Sequence, residues 1–284
     1  MTKTIAFTTF ALVAFALNSI LCRLALRGEE IDAASFTGVR LVSGAAVMVL
    51  VSYLVGRRSD TGVRGIPRGG SWLSAVFLFT YAICFSLAYL GLTAGTGALI
   101  LFGSVQMTMV AIAIGRGERP RPFEWIGLLT AVGGLVYLVQ PGLSSPPLNS
   151  SLLMAAAGAS WGIYTIIGKG TADPLASTTG NFIRTLPFAI IAAVAFIPNL
   201  HLSHRGIILA VLSGGIASGI GYTVWYAALR HLTMARAAIL QLAVPVIAAV
   251  LGITLLGETA TPRLYIAAGL ILGGIGLTIF GRKP

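Results

Sequence analysis

The sequence predicts an all-α integral membrane protein with ten transmembrane helices. Three observations predict this class: 56% of the 284 residues are hydrophobic, only 10% are charged, and long apolar runs recur along nearly the whole chain. Soluble domains carry about 25% charged residues, and a helix of about 20 apolar residues spans the hydrocarbon core of a bilayer. The mean hydropathy of +0.91 agrees with this class.

Ten apolar runs account for most of the chain, each bounded to within about three residues. The first run lacks a small-residue cleavage site followed by a soluble domain, so we expect a retained helix rather than a signal peptide. The longest loop, about 56–70, is too short to hold a domain. The predicted spans are 4–24, 33–55, 71–90, 95–114, 122–140, 149–167, 175–197, 206–229, 233–256 and 262–281.

The net charge of +11 reflects membrane topology rather than nucleic-acid binding. With the N-terminus inside, twelve of the 19 basic residues fall in cytoplasmic segments, four on the opposite side and three within spans. Such an excess follows the positive-inside rule. Both termini are therefore predicted to be cytoplasmic, and no nucleic acid is expected as a partner.

The two halves of the chain repeat each other, which predicts two five-helix units, 1–140 and 147–284. Because five is odd, the second unit enters the membrane from the opposite side. Inverted repeats of this kind are typical of transporters that alternate access to a central site. The aligned pairs are Gly117-Glu118 with Gly257-Glu258 and Pro122 with Pro262 at an offset of 140, and Arg40 with Arg184 at an offset of 144.

The repeat motifs resemble those of a known family. In each half an Ala-rich helix ends in Gly-Glu, and the next helix starts with Pro and carries paired glycines, as in IGLLTAVGGLVYLV and IAAGLILGGIGLTIF. These units look like the EamA repeats of the drug/metabolite transporter superfamily, over nearly the whole chain. Within it the sequence looks most like the aromatic amino acid exporters of the YddG type. The resemblance implies ten helices around a basket-like cavity, an inner-membrane location and export of amino acids or related metabolites.

Aromatic and polar side chains at helical spacing are the candidates for substrate binding. On the third, sixth and eighth spans, rings with hydroxyl or indole donors suit an aromatic or bulky apolar substrate. The alternatives are the interfacial aromatic belt, which suits Tyr89 and Tyr226, and hydrogen bonding between helices for the amides. The candidates are Asn18, Tyr81, Phe85, Phe102, Gln106, Trp161, Tyr164, Tyr222, Trp225 and Gln241.

Three arginines and a proline within spans are further candidates. Arg40 and Arg184 either bind a substrate carboxylate through two parallel hydrogen bonds, or hydrogen-bond to backbone carbonyls or extend to the membrane interface, helped by their long apolar stems. Arg236 lies near the cytoplasmic end of its span and is expected to extend to that interface. Pro245 removes one backbone hydrogen bond four residues after Gln241 and is expected to bend its helix.

The distribution of acidic residues bears on energy coupling. All eight lie in loops or within about a turn of a helix end. Since a proton-coupled carrier usually has a carboxylate near the midplane that gains and loses a proton, we expect uncoupled, facilitated export. The alternatives are a broader drug or metabolite exporter of the same superfamily and, less favoured, a channel.

Other functional classes find no support in the sequence. There is no H-E-x-x-H or G-x-S-x-G run, so an enzyme is not expected. Cys22 and Cys84 lie in apolar surroundings and behave as small hydrophobes, so neither a metal nor a cofactor is expected. The 35 glycines favour close packing within one chain. We therefore expect a monomer whose partners are a small-molecule substrate and membrane lipid.

Overall fold

The fold is an all-helical bundle in a computed structural model that describes residues 2–56, 69–117, 122–142, 145–168, 171–229, 232 and 240–281. Within these ranges, the regular structure outside the helices is an isolated antiparallel bridge between Ile31 and Leu202. A short 3-10 helix, Ile197–Asn199, and a π-helix, Leu212–Ile220, accompany the α-helices. The α-helices are α1 (Thr2–Arg27), α2 (Ala33–Gly56), α3 (Trp72–Ala88), α4 (Ala94–Gly115), α5 (Pro122–Val139), α6 (Leu148–Gly168), α7 (Pro174–Ala195), α8 (His204–Val211), α9 (Gly221–Leu229), α10 (Ala243–Leu256) and α11 (Pro262–Gly281).

Seven described helical stretches are long and apolar enough to cross a membrane. Three shorter apolar helices lie at the third, ninth and tenth predicted spans: Trp72–Ala88, Ala243–Leu256 and Pro262–Thr278. The predicted class, an α-helical multi-pass membrane protein, is therefore confirmed, while the number of ten spans stays a prediction. The seven long stretches are Thr4–Arg27, Ala33–Val55, Ala94–Gly115, Pro122–Val139, Leu148–Gly168, Pro174–Ala195 and His204–Trp225.

Side-chain caps set where several helices begin. In each case the side-chain oxygen of the residue before the helix accepts a hydrogen bond from a backbone N–H in the first turn, which satisfies one of the donors left free at a helix start. At its far end, α10 stops at Gly257, whose φ of 62° lies in the left-handed region that glycine tolerates. The capping residues are Asp32 before α2, Ser71 before α3, Thr93 before α4, Asp173 before α7 and Ser203 before α8.

Glycine brings some helices together at their backbones. Helix α5 meets α11 at Gly127 and Gly274, where an added Cβ on either residue would collide with the main chain of the other helix. Gly214 of the π-helix lies against the carbonyl of Arg40 in α2 in the same way. Small residues allow such approach between helices in membranes. Helix α6 packs on α3 and α4, α2 on α7 and the π-helix, and α1 on α9 and α10.

Candidate functional site

A cavity lies between α1, α3, α4, α6, the π-helix and α9. It comprises about 460 Å³ of space between atoms, counting any part that is open at its mouth, and little of it admits the centre of a water molecule. The surrounding side chains are therefore close to one another in this conformation. The lining residues are Phe15, Asn18, Ser19, Tyr81, Phe85, Leu101, Phe102, Trp161, Ala217, Ser218, Tyr222 and Gln241.

The cavity brings together seven of the ten candidate binding residues. Tyr164 and Trp225 lie one ring further out, with ring centroids 5.3 Å from Trp161 and 5.9 Å from Phe15. The seven that line the cavity are Asn18, Tyr81, Phe85, Phe102, Trp161, Tyr222 and Gln241.

Gln106 lies apart from these residues. It lines a second, smaller pocket with Met107, Leu128 and Ile275, between α4, α5 and α11. Positions four residues apart on a helix differ in direction by about 40°, so Gln106 and Phe102 do not share a face completely. The periodicity placed both on one side of the helix, but the neighbouring helices divide that side between two pockets.

Trp161 is the centre of an aromatic wall. Its ring stacks on Tyr222 with centroids 5.1 Å apart and an interplanar angle of 29°. On another side it lies 4.9 Å from the Tyr81 ring, which in turn is 5.5 Å from Phe85. Aromatic pairs at such distances contribute about 0.5–1.5 kcal/mol each beyond the area they bury. We call Tyr81, Phe85, Trp161 and Tyr222 the aromatic wall.

Arg40 lies directly behind the aromatic wall and is 2% exposed. Its Nη2 donates to the Tyr81 hydroxyl at 3.1 Å and its Nε to the Ser218 hydroxyl at 3.4 Å. The guanidinium carbon lies 5.0 Å from the centroid of the Phe85 ring. Nη1 is buried and has no hydrogen-bond partner among the described residues. The ion pairs in the described part of the chain are Arg23–Glu258 and Arg205–Glu30, so Arg40 has no carboxylate partner there.

A chain of hydrogen bonds extends from Arg40 across the cavity. The Asn18 amide donates to the Tyr81 hydroxyl at 3.5 Å, and the Ser213 hydroxyl donates to the Asn18 carbonyl oxygen at 2.5 Å. This chain joins α1, α2, α3 and the π-helix. Ser213 was absent from the sequence-based candidates, because a serine in an apolar run carries no signal of its direction.

Phe15 and Ser19 were also missed. A signal for them exists, since Phe15, Asn18, Ser19 and Cys22 follow the three- and four-residue spacing of one helix face. The spacing would have extended the α1 side of the cavity from Asn18 alone to its neighbours on that face.

The two repeat-related arginines lie in different surroundings. Arg184 Nη1 donates to the carbonyls of Gly69 at 2.6 Å and Gly180 at 3.0 Å. It thereby ties α7 to the segment that precedes α3, whereas Arg40 contacts side chains of the cavity wall. Arg236 lies outside the described residues.

The regular helix around Gln241 is interrupted just before α10. Residue 242 is a turn, and Pro245 lies in the first turn of α10. Pro245 has no N–H to donate to the carbonyl of Gln241, which accounts for an interruption at this place. The rest of the segment before it, 233–239, lies outside the described residues. Bending by Pro245 therefore stays a prediction.

Tyr89 is not a residue of the interfacial belt. It is 0% exposed, its hydroxyl donates to the Ala94 carbonyl at 3.3 Å, and its ring lies 4.7 Å from Phe85. The belt prediction was wrong for Tyr89 because α4 begins only a few residues after α3 ends, and its first turn covers the ring. The side chain of Tyr226 lies outside the described part of the chain.

Ionic and backbone contacts around Glu258 join several helices at one end of the bundle. Its Oε1 pairs with Arg23 Nε at 3.2 Å, and its Oε2 accepts from the Ala94 N–H at 2.8 Å, at the start of α4. Arg23 Nη1 also donates to the Tyr89 carbonyl at 2.9 Å. The exposures of the two charged side chains are 14% and 6%. We call Arg23, Tyr89, Ala94 and Glu258 the Glu258 clasp, which joins α1, α3 and α4 to the end of α10.

A second set of contacts joins the segment after α1 to the start of α8. The Ser203 hydroxyl donates to Glu30 at 2.6 Å, and the His201 N–H donates to Asp32 at 3.2 Å. Partial burial raises the pKa of Asp32, but hydrogen bonds from Ser35, His201 and Ala34 outweigh this effect and hold the pKa below its usual range. These contacts lie at the same end of α1 as the Glu258 clasp.

The fold and the cavity define an α-helical multi-pass membrane protein with a small cavity lined by aromatic rings. Residues 148–280 match the model of the EamA-like transporter family. The chain is 48% identical over 280 residues to the uncharacterized protein PA1977 of Pseudomonas aeruginosa, which covers 99% of this chain and 96% of that one. The chain belongs to the EamA-like transporter family, and the predicted drug/metabolite transporter superfamily is confirmed.

Relatives with named activities are more distant. The threonine/homoserine exporter RhtA of Escherichia coli K12 is 33% identical over 181 residues, which are 61% of this chain and 60% of RhtA. The probable amino-acid metabolite efflux pump of Salmonella typhimurium is 28% identical over 219 residues, 72% of this chain and 73% of the pump. A solved crystal structure matches 98% of this chain and 99% of its own with a TM-score of 0.66 at 20% identity, which indicates a shared fold.

Proposed function

We propose that this protein exports amino acids or closely related metabolites from the cell, with aromatic ones favoured, through the cavity behind which Arg40 lies. The observation that carries the proposal is the pairing of an aromatic wall with a buried guanidinium whose Nη1 has no partner among the residues that the structure describes. An aromatic amino acid offers a ring for the first and a carboxylate for the second. The names of RhtA and of the efflux pump support amino-acid export as the general class.

The aromatic wall supports the choice of side chain. Little of the cavity is wide enough for water, so a substrate ring must enter between Trp161 and its neighbours rather than fill an open space. Stacked and edge-on contacts are the arrangements that rings favour. A substrate ring therefore replaces contacts between wall residues by contacts of the same kind, whereas a small polar side chain replaces them by nothing equivalent.

Arg40 is proposed as the carboxylate-binding residue. Guanidinium groups bind carboxylates through two parallel hydrogen bonds, and in Arg40 one nitrogen is without a partner and another holds only the Tyr81 hydroxyl. Movement of that hydroxyl gives a carboxylate access to both. For Arg184 we propose a structural role, because its bonds go to the carbonyls of Gly69 and Gly180.

The packing of the helices supports ten spans in two inverted repeats, which we propose as the architecture. An inverted repeat relates each span to the span five positions later. Under this exchange the contact of α3 with α6 corresponds to the contact of α1 with the eighth span, which runs from α8 to α9. The same exchange turns the α4–α6 contact into that of α10 with α1, and leaves the pairs α2–α7, α4–α10 and α5–α11 unchanged. A pseudo-two-fold axis between 1–140 and 147–284 produces this pattern.

Alternating access is the proposed mechanism, with the Glu258 clasp as the barrier at one end. The basic-residue distribution assigns that end to the side opposite the cytoplasm and assigns both termini to the cytoplasm, in the inner membrane. Release of substrate on that side requires α1 and α4 to separate from the end of α10. The bonds of Glu258 to Arg23 and to Ala94 must then break.

Transport without proton coupling is the proposed energetics. None of the described residues that line the cavity is acidic. Glu258, which is largely buried, is held by an arginine and a backbone N–H at the end of the bundle. Within the described residues, a carboxylate that could take up a proton beside the substrate is thus absent from the cavity wall.

Efflux from liposomes tests the proposal. Purified protein is reconstituted in liposomes preloaded with phenylalanine, tyrosine, tryptophan, threonine or alanine, and efflux is measured with and without a pH gradient. We expect saturable, stereoselective efflux that is fastest for aromatic amino acids and insensitive to the pH gradient. Equal rates for threonine and phenylalanine would indicate a broader metabolite exporter, whereas single-channel currents would indicate a channel.

A further inference from the structure

The described residues at the cavity carry a positive charge and no negative charge. Arg40 brings a buried positive charge to the wall, while no acidic residue lines the cavity in the described part of the chain. An ammonium group that enters the cavity therefore finds no carboxylate among the residues that line it. The acidic residues that the structure describes belong to loops, caps and first turns, and are Glu29, Glu30, Asp32, Glu124, Asp173 and Glu258.

We propose that the site prefers monoanionic aromatic carboxylates, such as 2-hydroxy and 2-oxo acids with an aryl side chain, to the corresponding zwitterionic amino acids. This inference rests on the proposed function, because it concerns the same cavity and the same direction of transport. The carboxylate supplies the partner that Arg40 Nη1 lacks. The aryl group meets Trp161 and Tyr222, which already stack on each other.

The ammonium group of an amino acid works against this arrangement. It is attached to the carbon next to the carboxylate, so binding of the carboxylate to Arg40 carries the ammonium towards the guanidinium. Like charges repel more strongly in a protein interior than in water, because the effective dielectric constant is lower. The amide oxygen of Asn18, which lines the cavity, already accepts from Ser213.

The net charge of the occupied site leads to the same order. A monoanion neutralises Arg40, a zwitterion leaves one net positive charge, and an amine without a carboxylate adds a second. Buried charges are unfavourable unless they are paired. The expected order of binding is therefore monoanion, then zwitterion, then cation, for molecules that are otherwise alike in shape.

A monoanionic substrate also gives the protein a source of energy. With the interior of the cell negative, the membrane potential drives a negative charge outwards, and about 100 mV corresponds to roughly a 50-fold concentration ratio for one charge. An exporter whose cavity wall has no carboxylate to protonate can accumulate such a substrate outside without a proton gradient. A zwitterion carries no net charge and gains nothing from the potential.

Three matched compounds test the inference in liposomes. Phenylalanine, 3-phenyllactate and phenylalaninol share the ring and the carbon chain, and are zwitterion, anion and cation at neutral pH. Initial efflux is measured at equal internal concentrations, first without a potential and then with an interior-negative potential set by valinomycin and a potassium gradient. We expect 3-phenyllactate to leave at least about tenfold faster than phenylalanine, since like-charge juxtaposition is costly. The potential should accelerate only 3-phenyllactate.

Substitutions of the arginines separate recognition from stability. Arg40→Gln removes the charge and should abolish the preference for 3-phenyllactate, while Arg40→Lys keeps the charge and should retain the preference with weaker binding. Arg184→Gln is the matched control, because Arg184 donates to backbone carbonyls. It should lower thermal stability and leave the ratio of the two rates unchanged. Protein-free liposomes give the passive leak of each compound.

The outcomes are distinct for the two proposals. If phenylalanine leaves as fast as 3-phenyllactate or faster, the inference about charge is wrong while export of amino acids stands. If 3-phenyllactate efflux exceeds the leak but does not depend on the potential, the inference that the substrate crosses the membrane as a net negative charge is wrong. If none of the aromatic compounds moves faster than the leak, both the inference and the proposed function fail. Should Arg40→Gln not fold, the Arg40→Lys protein and the potential dependence of the natural protein still decide.

Discussion

Replacing Glu258 by alanine is expected to open the end of the bundle that the Glu258 clasp closes. The substitution removes two charge-assisted contacts, to Arg23 Nε at 3.2 Å and to the Ala94 N–H at 2.8 Å. Hydrogen bonds to charged groups contribute about 1.5–3 kcal/mol each, and part of this is lost to hydration of the freed groups. A net cost to the closed state of about 2–4 kcal/mol shifts the balance between closed and open by one to three orders of magnitude.

A native cysteine reports the opening. Cys22 precedes Arg23, lies one helical turn beyond Asn18 on α1 and is 0% exposed. In a Cys84→Ala background, the rate at which a small charged methanethiosulfonate reagent modifies Cys22 measures access from that end. We expect Glu258→Ala to raise this rate by at least about tenfold, the lower end of the shift in population.

The control for this experiment is Glu30→Ala. Glu30 pairs with Arg205, whose side chain is 64% exposed, and accepts from the Ser203 hydroxyl. Neither contact involves α4 or α10, and exposed ion pairs contribute only about 0–1 kcal/mol. The rate at Cys22 should then change by less than about threefold. An unchanged rate in Glu258→Ala, in protein that elutes as a single folded species, would refute the view that the clasp holds this end closed.

Four further substitutions test other parts of the structure. Trp161→Ala removes the ring at the centre of the aromatic wall, which a substrate ring is proposed to contact. Because one ring contact contributes about 0.5–1.5 kcal/mol, the KM for phenylalanine efflux should rise by up to about tenfold, while Trp161→Phe should restore much of the loss. Gln106→Ala, in the second pocket, should leave that KM within about twofold. Gly214→Ala places a methyl group against the carbonyl of Arg40 and should cost about 1–3 kcal/mol, seen as a lower Tm. Asp32→Asn should lower the Tm at pH 7. The lowered pKa of the Asp32 carboxyl stabilises the folded state at pH values above its ordinary pKa of 3.8. The difference in Tm from the natural protein should therefore disappear as the pH falls below 3.8.

Hydropathy and periodicity were sufficient to locate the helices. The predicted span 95–114 corresponds to Ala94–Gly115, and 149–167 to Leu148–Gly168. The reason is physical, since a membrane helix must satisfy its backbone within itself and present apolar side chains along its length. The eighth span, predicted as one helix over 206–229, is instead divided among α8, the π-helix and α9. Hydropathy does not distinguish one backbone hydrogen-bonding pattern from another, so this division left no sign in it.

The cavity could be predicted only in part, because neighbouring helices decide which side of a helix faces it. Rings on α3, α6 and α9 fell on the cavity because large aromatic groups occupy much of the available face. Gln106 did not, because α5 and α11 cover its side of α4. Arg40 and Arg184 align between the two halves of the sequence, yet one meets side chains of the wall and the other meets backbone carbonyls. Their difference lies in what surrounds them after folding.

The π-helix determines the direction in which the α9 side of the cavity wall points. In Leu212–Ile220 each backbone bond reaches one residue further than in an α-helix. Deleting one residue from the π-helix would rotate the residues that follow it by about 100° around the helix axis. Tyr222 would then face away from Trp161, and Trp225 away from Phe15. The orientation of these rings thus depends on the number of residues in the nine-residue π-helix that precedes them. A deletion or insertion there should impair substrate recognition although every aromatic side chain is kept.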